Sequence, residues 1–201
     1  GATPNLDLNL NENERILEMP SAINLLNALK ISGRDKDGLG IGFLNAITER
    51  TTATAYNEIT NNSREVVISP LTNYNVTVFD QRFNQNSSVT FINTNVTRDG
   101  SFRDANVSGL LFNLNNKDNS YNLSGEVKTS SIYDEKSSNG LNTSLYFADT
   151  KGKFRYSFGG NYVSEDYEIN DLGINFRTNY YSFSGNTSYR ILNPNKTFNT
   201  F

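Results

Sequence analysis

Four acidic residues late in the chain are the side chains best suited to chemistry: Glu165, Asp166, Glu168 and Asp171. Carboxylate oxygens are the ligands that Ca²⁺ prefers, and a pair of carboxylates can act as acid and base on a sugar. The segment lacks the glycine-containing spacing of an EF-hand loop. A solvated acidic loop is the simpler interpretation, because runs of charge usually form a solvated surface.

A second acidic segment, Asp35-Lys36-Asp37-Gly38, could also be mistaken for a metal-binding loop. Asp and Gly readily adopt the positive φ angles that tight hairpin turns demand. We therefore predict a turn at this position, and we predict no metal site in the chain.

The composition excludes most familiar active sites, because the chain contains no His and no Cys. Ser-His-Asp and Cys-His triads, His or Cys zinc sites, haem ligation, iron-sulfur ligation and disulfides all need one of these residues. We predict a protein that is not an enzyme, with no catalytic residues and no cofactor.

The net charge of -3 and the pI of about 5.1 give no electrostatic reason to expect a nucleic-acid partner. No apolar run approaches the roughly 18 residues that a membrane helix needs. The mean hydropathy of -0.55 is nevertheless compatible with a membrane β-barrel. Strands that face lipid on one side and water on the other average to a polar value.

The elements that would position these residues are strands. Asn, Ser, Thr, Gly, Tyr and Phe are abundant, and this mixture disfavours helices and favours turns and strands. Only residues 14–29 could be helical, and Pro20 divides that segment. The sequence therefore predicts an all-β chain.

Alternation of apolar and polar side chains indicates strands with one apolar face. It is clearest at 121–128, 141–147, 154–162 and 181–191, and earlier strands are predicted near 23–34, 39–50, 68–82, 87–97 and 104–114. These segments make about nine strands of about ten residues each, the length that crosses a bilayer at a tilt of about 45°.

The predicted connections alternate in length. Short turns at 35–38, 83–86, 115–120 and 149–152 alternate with longer segments at 51–65, 98–103, 133–139 and 164–179. Outer-membrane barrels have short periplasmic turns and longer extracellular loops. We therefore predict an antiparallel up-and-down transmembrane β-barrel portion over residues 23–201, with residues 1–22 as an extracellular loop or incoming segment. A tenth strand is expected at Thr197, and the remainder of the barrel is expected outside this chain.

Such a barrel assigns roles to two sets of side chains. Charged residues on the polar strand faces would line the lumen, where they would border a permeation path or pair with one another: Lys30, Arg34, Glu126, Lys128, Arg155 and Arg190. Tyrosines near strand ends would form the interfacial girdle or, alternatively, stack on sugars: Tyr121, Tyr156, Tyr162, Tyr180, Tyr181 and Tyr189.

Four segments carry a family resemblance: residues 28–34, 38–48, 70–75 and 169–173. Together they resemble the barrel region of the DUF5916 family, large outer-membrane-type proteins of Bacteroidetes with an N-terminal part similar to a family 9 carbohydrate-binding domain. The resemblance spans nearly the whole chain in order. It implies an outer-membrane location and a link to glycans, but no activity that could be assigned to particular residues. The carbohydrate-binding-like domain is expected to be absent from this chain.

Three functional hypotheses follow. The first is a portion of a non-enzymatic outer-membrane β-barrel in the bacterial outer membrane, acting as a channel, receptor or assembly component linked to glycan or nutrient handling. Its partners would be outer-membrane lipid, the remainder of its own barrel and other outer-membrane or assembly proteins. The second is a soluble glycan-binding β-sandwich or β-solenoid adhesin. The third is a membrane-embedded hydrolase, which would be limited to carboxylate chemistry.

Overall fold

The computed structural model describes residues 10–190, which form twelve β-strands and no helix. No helix in this part of the chain is long and apolar enough to cross a membrane. The strands are β1 (Glu14–Glu18), β2 (Leu25–Arg34), β3 (Leu39–Thr48), β4 (Thr51–Asn57), β5 (Asn62–Ser69), β6 (Thr72–Phe83), β7 (Ser87–Arg98), β8 (Asp104–Asn115), β9 (Tyr121–Tyr133), β10 (Ser138–Asp149), β11 (Phe154–Val163) and β12 (Tyr180–Tyr189).

Two antiparallel sheets contain these strands. The large sheet has nine strands in the order β12-β11-β10-β9-β8-β7-β6-β3-β2, and the small sheet has the order β1-β4-β5. The hairpin of β4 and β5 is thus an insertion between β3 and β6, which pair directly in the large sheet. Within residues 10–190 the large sheet is open, with β2 and β12 as its two edges.

The prediction of an all-β, antiparallel chain is confirmed. The nine predicted strands correspond to the nine strands of the large sheet. The prediction that residues 51–65 form a loop is wrong, because they lie in the hairpin of β4 and β5. Residues 14–29 contain β1 and half of β2 rather than a helix. The strand expected at Thr197 lies outside the described residues.

The connections are sorted by length less strictly than predicted. One end of the large sheet has only short turns, at 35–38, 84–86, 116–120 and 150–153. At the other end, the insertion at 49–71 and the segment at 164–179 are long. The connection at 134–137 is shorter than predicted because β9 and β10 extend several residues beyond the predicted strands. The connection at 99–103 is close to its predicted bounds but is no longer than the 116–120 turn at the other end. We call the two ends the turn end and the loop end.

The turn predicted at residues 35–38 is present, and its chemistry is that of a hairpin. Gly38 has a φ of 91°, a conformation that glycine adopts without strain. The backbone N–H groups of Asp37 and Leu39 both donate to the Asp35 carboxylate, at 2.9 and 2.8 Å. The carboxylate oxygens therefore stabilise the turn rather than forming a metal loop.

Candidate functional site

The large sheet has one face on which apolar side chains form continuous rows across neighbouring strands. One row runs through residues that lie directly opposite one another, namely Ile41, Phe79, Phe91, Leu110, Val127, Thr143, Tyr162 and Tyr181. Most of these large side chains are exposed; Leu110 has 49% of its surface accessible and Tyr181 has 74%. We call this the apolar face.

The opposite face, which we call the polar face, carries nearly all the charge of the nine strands. Asp104 and Asp149 are exceptions, and each is the terminal residue of its strand. The other charged strand residues share the polar face: Lys30, Arg34, Asp80, Arg82, Arg98, Glu126, Lys128 and Arg155. The sheet thus separates charge from apolar surface along its whole width.

The six charged residues predicted to line a lumen do not form one cluster. Arg34 pairs with Asp80 and donates to the Gly38 carbonyl at 2.6 Å. Glu126 and Lys128 form a 2.8 Å ion pair in the middle of β9. The polar face therefore carries local pairs of opposite charge.

The other three residues lie apart from these pairs. Arg155 donates to the Gly152 carbonyl at 3.2 Å, at the turn end. Arg190 lies just after β12, where its backbone N–H donates to the Lys153 carbonyl at 2.8 Å. Lys30 lies on β2, on the same face of the sheet. Positive and negative side chains are therefore spread along the polar face, and the six predicted residues do not meet at one site.

The tyrosines predicted for a girdle lie on the apolar face near both ends of the strands. Tyr121, Tyr156 and Tyr189 are near the turn end, whereas Tyr162 and Tyr181 face each other near the loop end. Tyr121 also stacks on Phe147, with ring centroids 5.8 Å apart. Tyr180 differs, because its register opposite Val163 places it on the other face.

The connection at 164–179, which we call the latch loop, folds back over the polar face. Tyr167 is 2% exposed, and its backbone lies so close to Gly140 that a Cβ at position 140 would be 2.2 Å from the Tyr167 Cα. The backbone N–H of Glu168 donates to the Ser130 hydroxyl at 3.0 Å. Gly140 and Ser130, which lie opposite each other on adjacent strands, thus form the surface on which this loop packs.

Two arginines hold the latch loop through its carboxylates: Arg98, the last residue of β7, and Arg103, in the connection to β8. Arg98 pairs with Asp171 at 2.5 Å, and Arg103 pairs with both Asp171 and Glu168, the latter at 2.8 Å. The Asp171 side chain is only 9% exposed. Burial alone would raise the pKa of Asp171, but hydrogen bonds from Arg98 and Arg103 outweigh this effect and hold that pKa below its usual value.

This pairing predicts how docking of the latch loop depends on pH. A carboxyl group whose pKa is lowered by docking stabilises the docked loop when ionised, and that contribution is lost as the pH falls through the lowered pKa. A free Asp has a pKa of about 3.9. In a Ser130→Cys variant, we expect the rate of labelling by a dithiodipyridine, divided by the rate for a fully exposed cysteine at the same pH, to be constant between about pH 5 and 8. This ratio should rise only below about pH 4, and a rise at pH 6 would contradict the assignment.

Only part of the acidic cluster at residues 165–171 is solvated, as the sequence predicted for the whole cluster. Glu165 and Asp166 are exposed, as expected, but Asp171 and Glu168 are engaged by arginines. Within residues 10–190, no group of His, Cys, Asp and Glu is arranged to hold a metal ion. Sequence reasoning missed Arg98 and Arg103. The predicted strands place the 98–103 connection and the acidic 164–179 segment at the same end of the sheet, but they do not show that the two are in contact.

The comparisons with known proteins agree with the family resemblance of the sequence. No curated protein and no solved structure matches the chain significantly. The family described as "Domain of unknown function (DUF5916)" matches residues 1–201. The chain therefore belongs to the DUF5916 family.

Proposed function

We propose that the chain forms part of the wall of a non-enzymatic β-barrel in the bacterial outer membrane, with a channel for small polar solutes as the best-supported role. A receptor or an assembly component linked to glycan or nutrient handling would use the same wall. One observation carries the proposal. Along nine antiparallel strands, charged residues lie on one face and exposed large apolar residues on the other.

The exposed apolar surface is the first argument for contact with lipid. Phe158 has 57% of its surface accessible and Phe183 has 84%. Soluble monomers rarely expose a contiguous apolar patch larger than a few hundred Å². Together with Leu123, Leu145 and Phe147, these side chains line an open apolar groove of about 630 Å³. Lipid acyl chains would fill this groove.

The spacing of the tyrosines agrees with the thickness of a membrane. Tyr181 and Tyr189 lie at the two ends of β12. At about 3.4 Å per residue they are about 27 Å apart along the strand, and a tilt of about 40° would reduce this to about 21 Å. The apolar band of an outer-membrane barrel is about 25 Å tall and is flanked by aromatic residues on both sides.

The two edge strands are the third argument. A sheet edge presents unpaired backbone N–H and C=O groups, which are costly in a bilayer. The remainder of the barrel, pairing with β2 and β12, would satisfy both edges. A soluble β-sandwich would instead cover the apolar face with a second sheet. In the described part of the chain, however, most large side chains on the apolar face are exposed.

The polar face has the character of a lumen wall for a small polar solute. A recess of about 380 Å³ is lined by hydroxyl, amide and carboxylate side chains, among them Ser88, Thr90 and Glu126, and also by the apolar side chains of Leu111 and Phe112. The charged residues on this face include both acidic and basic side chains, so the wall would select only weakly between positive and negative solutes. The latch loop covers the polar face at the loop end and would narrow a path along it.

Accessibility measured on alternate residues of β10 tests the proposal. The chain contains no Cys, so single cysteines can be introduced at Ser144, Leu145, Tyr146 and Phe147 and spin-labelled in the membrane-embedded protein. We expect labels at 145 and 147 to be reached by oxygen, which partitions into lipid, and labels at 144 and 146 by a water-soluble nickel chelate. Equal access of the chelate to all four positions would contradict a lipid-facing sheet.

A further inference from the structure

The apolar face does not stay apolar along the full length of the strands. Two residues beyond the row of Phe79, Phe91 and Leu110, toward the loop end, the side chains become amides and hydroxyls. The members of this zone, which we call the asparagine belt, are Asn45, Asn73, Asn75, Asn93, Asn95, Asn106, Ser108, Ser131 and Asn139.

The belt is continuous because its members lie opposite one another on adjacent strands. Asn45 faces Asn75, Asn75 faces Asn95, and Asn95 faces Asn106. Asn106 then faces Ser131, which faces Asn139. One row of neutral hydrogen-bonding side chains therefore crosses β3, β6, β7, β8, β9 and β10.

Hydrogen bonds between neighbours hold these side chains in place. The Asn45 amide donates to the side-chain oxygens of Asn73 and Asn75, at 2.6 and 2.8 Å. The Asn93 amide donates to the Asn106 side-chain oxygen at 3.1 Å. Each Asn has two N–H donors and an oxygen with two lone pairs, so these bonds leave capacity for an external partner.

The belt lies between the apolar rows and the loop end, where the headgroup zone would follow the hydrocarbon core. Asn93 lies opposite Thr77 and Asn73 opposite Thr97, one level to either side of the row through Asn75 and Asn95. The belt therefore spans four positions, about 14 Å along a strand and about 10 Å along the membrane normal at a tilt of about 40°. A bilayer is about 40–45 Å thick with headgroups and about 30 Å without them, so the belt would reach from the edge of the hydrocarbon core through one headgroup zone. The belt also directly adjoins the apolar rows.

The chemistry of the belt selects among headgroups. Phosphate groups are typically bound by Arg, Lys or helix N-termini, whereas the belt contains only amides and hydroxyls. Neutral amides are both donors and acceptors, and sugar hydroxyls are as well. We infer that the asparagine belt contacts the sugar headgroups of glycolipids in the outer leaflet. This inference rests on the proposed function.

Thermal unfolding in vesicles tests the inference. The membrane-extracted protein is reconstituted in phosphatidylcholine, with or without glucosyl-diacylglycerol or phosphatidylglycerol. We expect the glycolipid to raise Tm by about 4 °C, a modest gain for a chain of this length, and phosphatidylglycerol to leave Tm unchanged. An Asn75→Ala, Asn95→Ala, Asn106→Ala variant should lose at least half of the rise.

A matched variant with the same three changes on the polar face, at Asn122, Asn142 and Asn161, should keep the full rise. If the belt variant shows the same glycolipid-induced rise in Tm as the unsubstituted protein, the inference is overturned. An equal rise with phosphatidylglycerol would instead indicate phosphate contact, and a Tm that depends on protein concentration would indicate that a second copy of the chain covers the belt.

A tryptophan at Phe91 separates this inference from the proposed function. The chain contains no Trp, so a Phe91→Trp variant reports one position in the apolar rows. Quenching by lipids brominated on their acyl chains is expected. Its absence would overturn the proposed function itself, whereas quenching together with an unchanged rise in the belt variant would overturn only the glycolipid contact.

Discussion

A Leu145→Arg substitution is expected to destabilise the membrane-embedded protein by about 2–4 kcal/mol, the cost of an arginine at the bilayer midplane on the lipid face of a barrel. Leu145 lies in the interior of the apolar rows, between Gly125 and Gly160 on the adjacent strands, and 55% of its surface is accessible. Among the described residues, the acidic side chain on the same face of β10 is Asp149, four positions away at the turn end. Urea unfolding of the protein folded into phosphatidylcholine vesicles measures the effect.

The neighbouring substitution Ser144→Arg is the control, because residue 144 lies on the polar face beside Glu126. We expect it to change stability by less than about 1 kcal/mol. If the chain were instead a soluble protein, both positions would face water on an exposed strand. Leu145→Arg would then also fall within about 0.5 kcal/mol of the unsubstituted protein. The difference between the two variants therefore decides between lipid and water as the solvent of the apolar face.

The nine strands of the large sheet could be predicted because their side chains alternate over ten or more positions. In β11 the large aromatic residues Phe154, Tyr156 and Phe158 all have the same parity. Such a pattern assigns each residue to a face without any knowledge of the neighbouring strand. The division of the sheet into an apolar face and a polar face could be predicted for the same reason.

The hairpin of β4 and β5 could not be predicted in this way. β4 has the sequence TTATAYN, in which Thr and Ala alternate without large apolar side chains. β5 begins with polar and charged residues, and its apolar residues come only near its end. The buried residues Ala53, Ala55, Val66 and Ile68 are too small or too few to produce a clear period of two.

The latch loop and the asparagine belt depend on register, which a single sequence does not contain. Arg98 and Asp171 are 73 positions apart, and only the folding of the loop over the polar face brings them together. Likewise, Asn75 and Asn95 become neighbours only once β6 and β7 are paired in the correct register. A shift by one residue would place every one of these side chains on the opposite face.

An Asp171→Asn substitution is expected to release the latch loop and to increase solute passage. The change leaves Arg98 and Arg103 without their shared charged partner in a partly buried site. Hydrogen bonds to charged groups are worth about 1.5–3 kcal/mol. A loss of about 2 kcal/mol corresponds to an approximately thirty-fold larger population of undocked loop. Single-channel conductance in planar bilayers should rise, and a cysteine at position 130 should be labelled faster.

Two further variants separate charge from position. Glu165→Gln removes a carboxylate from the same loop, but residue 165 is exposed and makes no ion pair among the described residues, so conductance should not change. Gly140→Val leaves every charge in place, yet its Cβ would lie 2.2 Å from the Tyr167 Cα, and it should therefore release the loop as Asp171→Asn does. If both releasing variants expose residue 130 while conductance stays constant, the latch loop lies outside the path of the solute, and the polar face conducts without it.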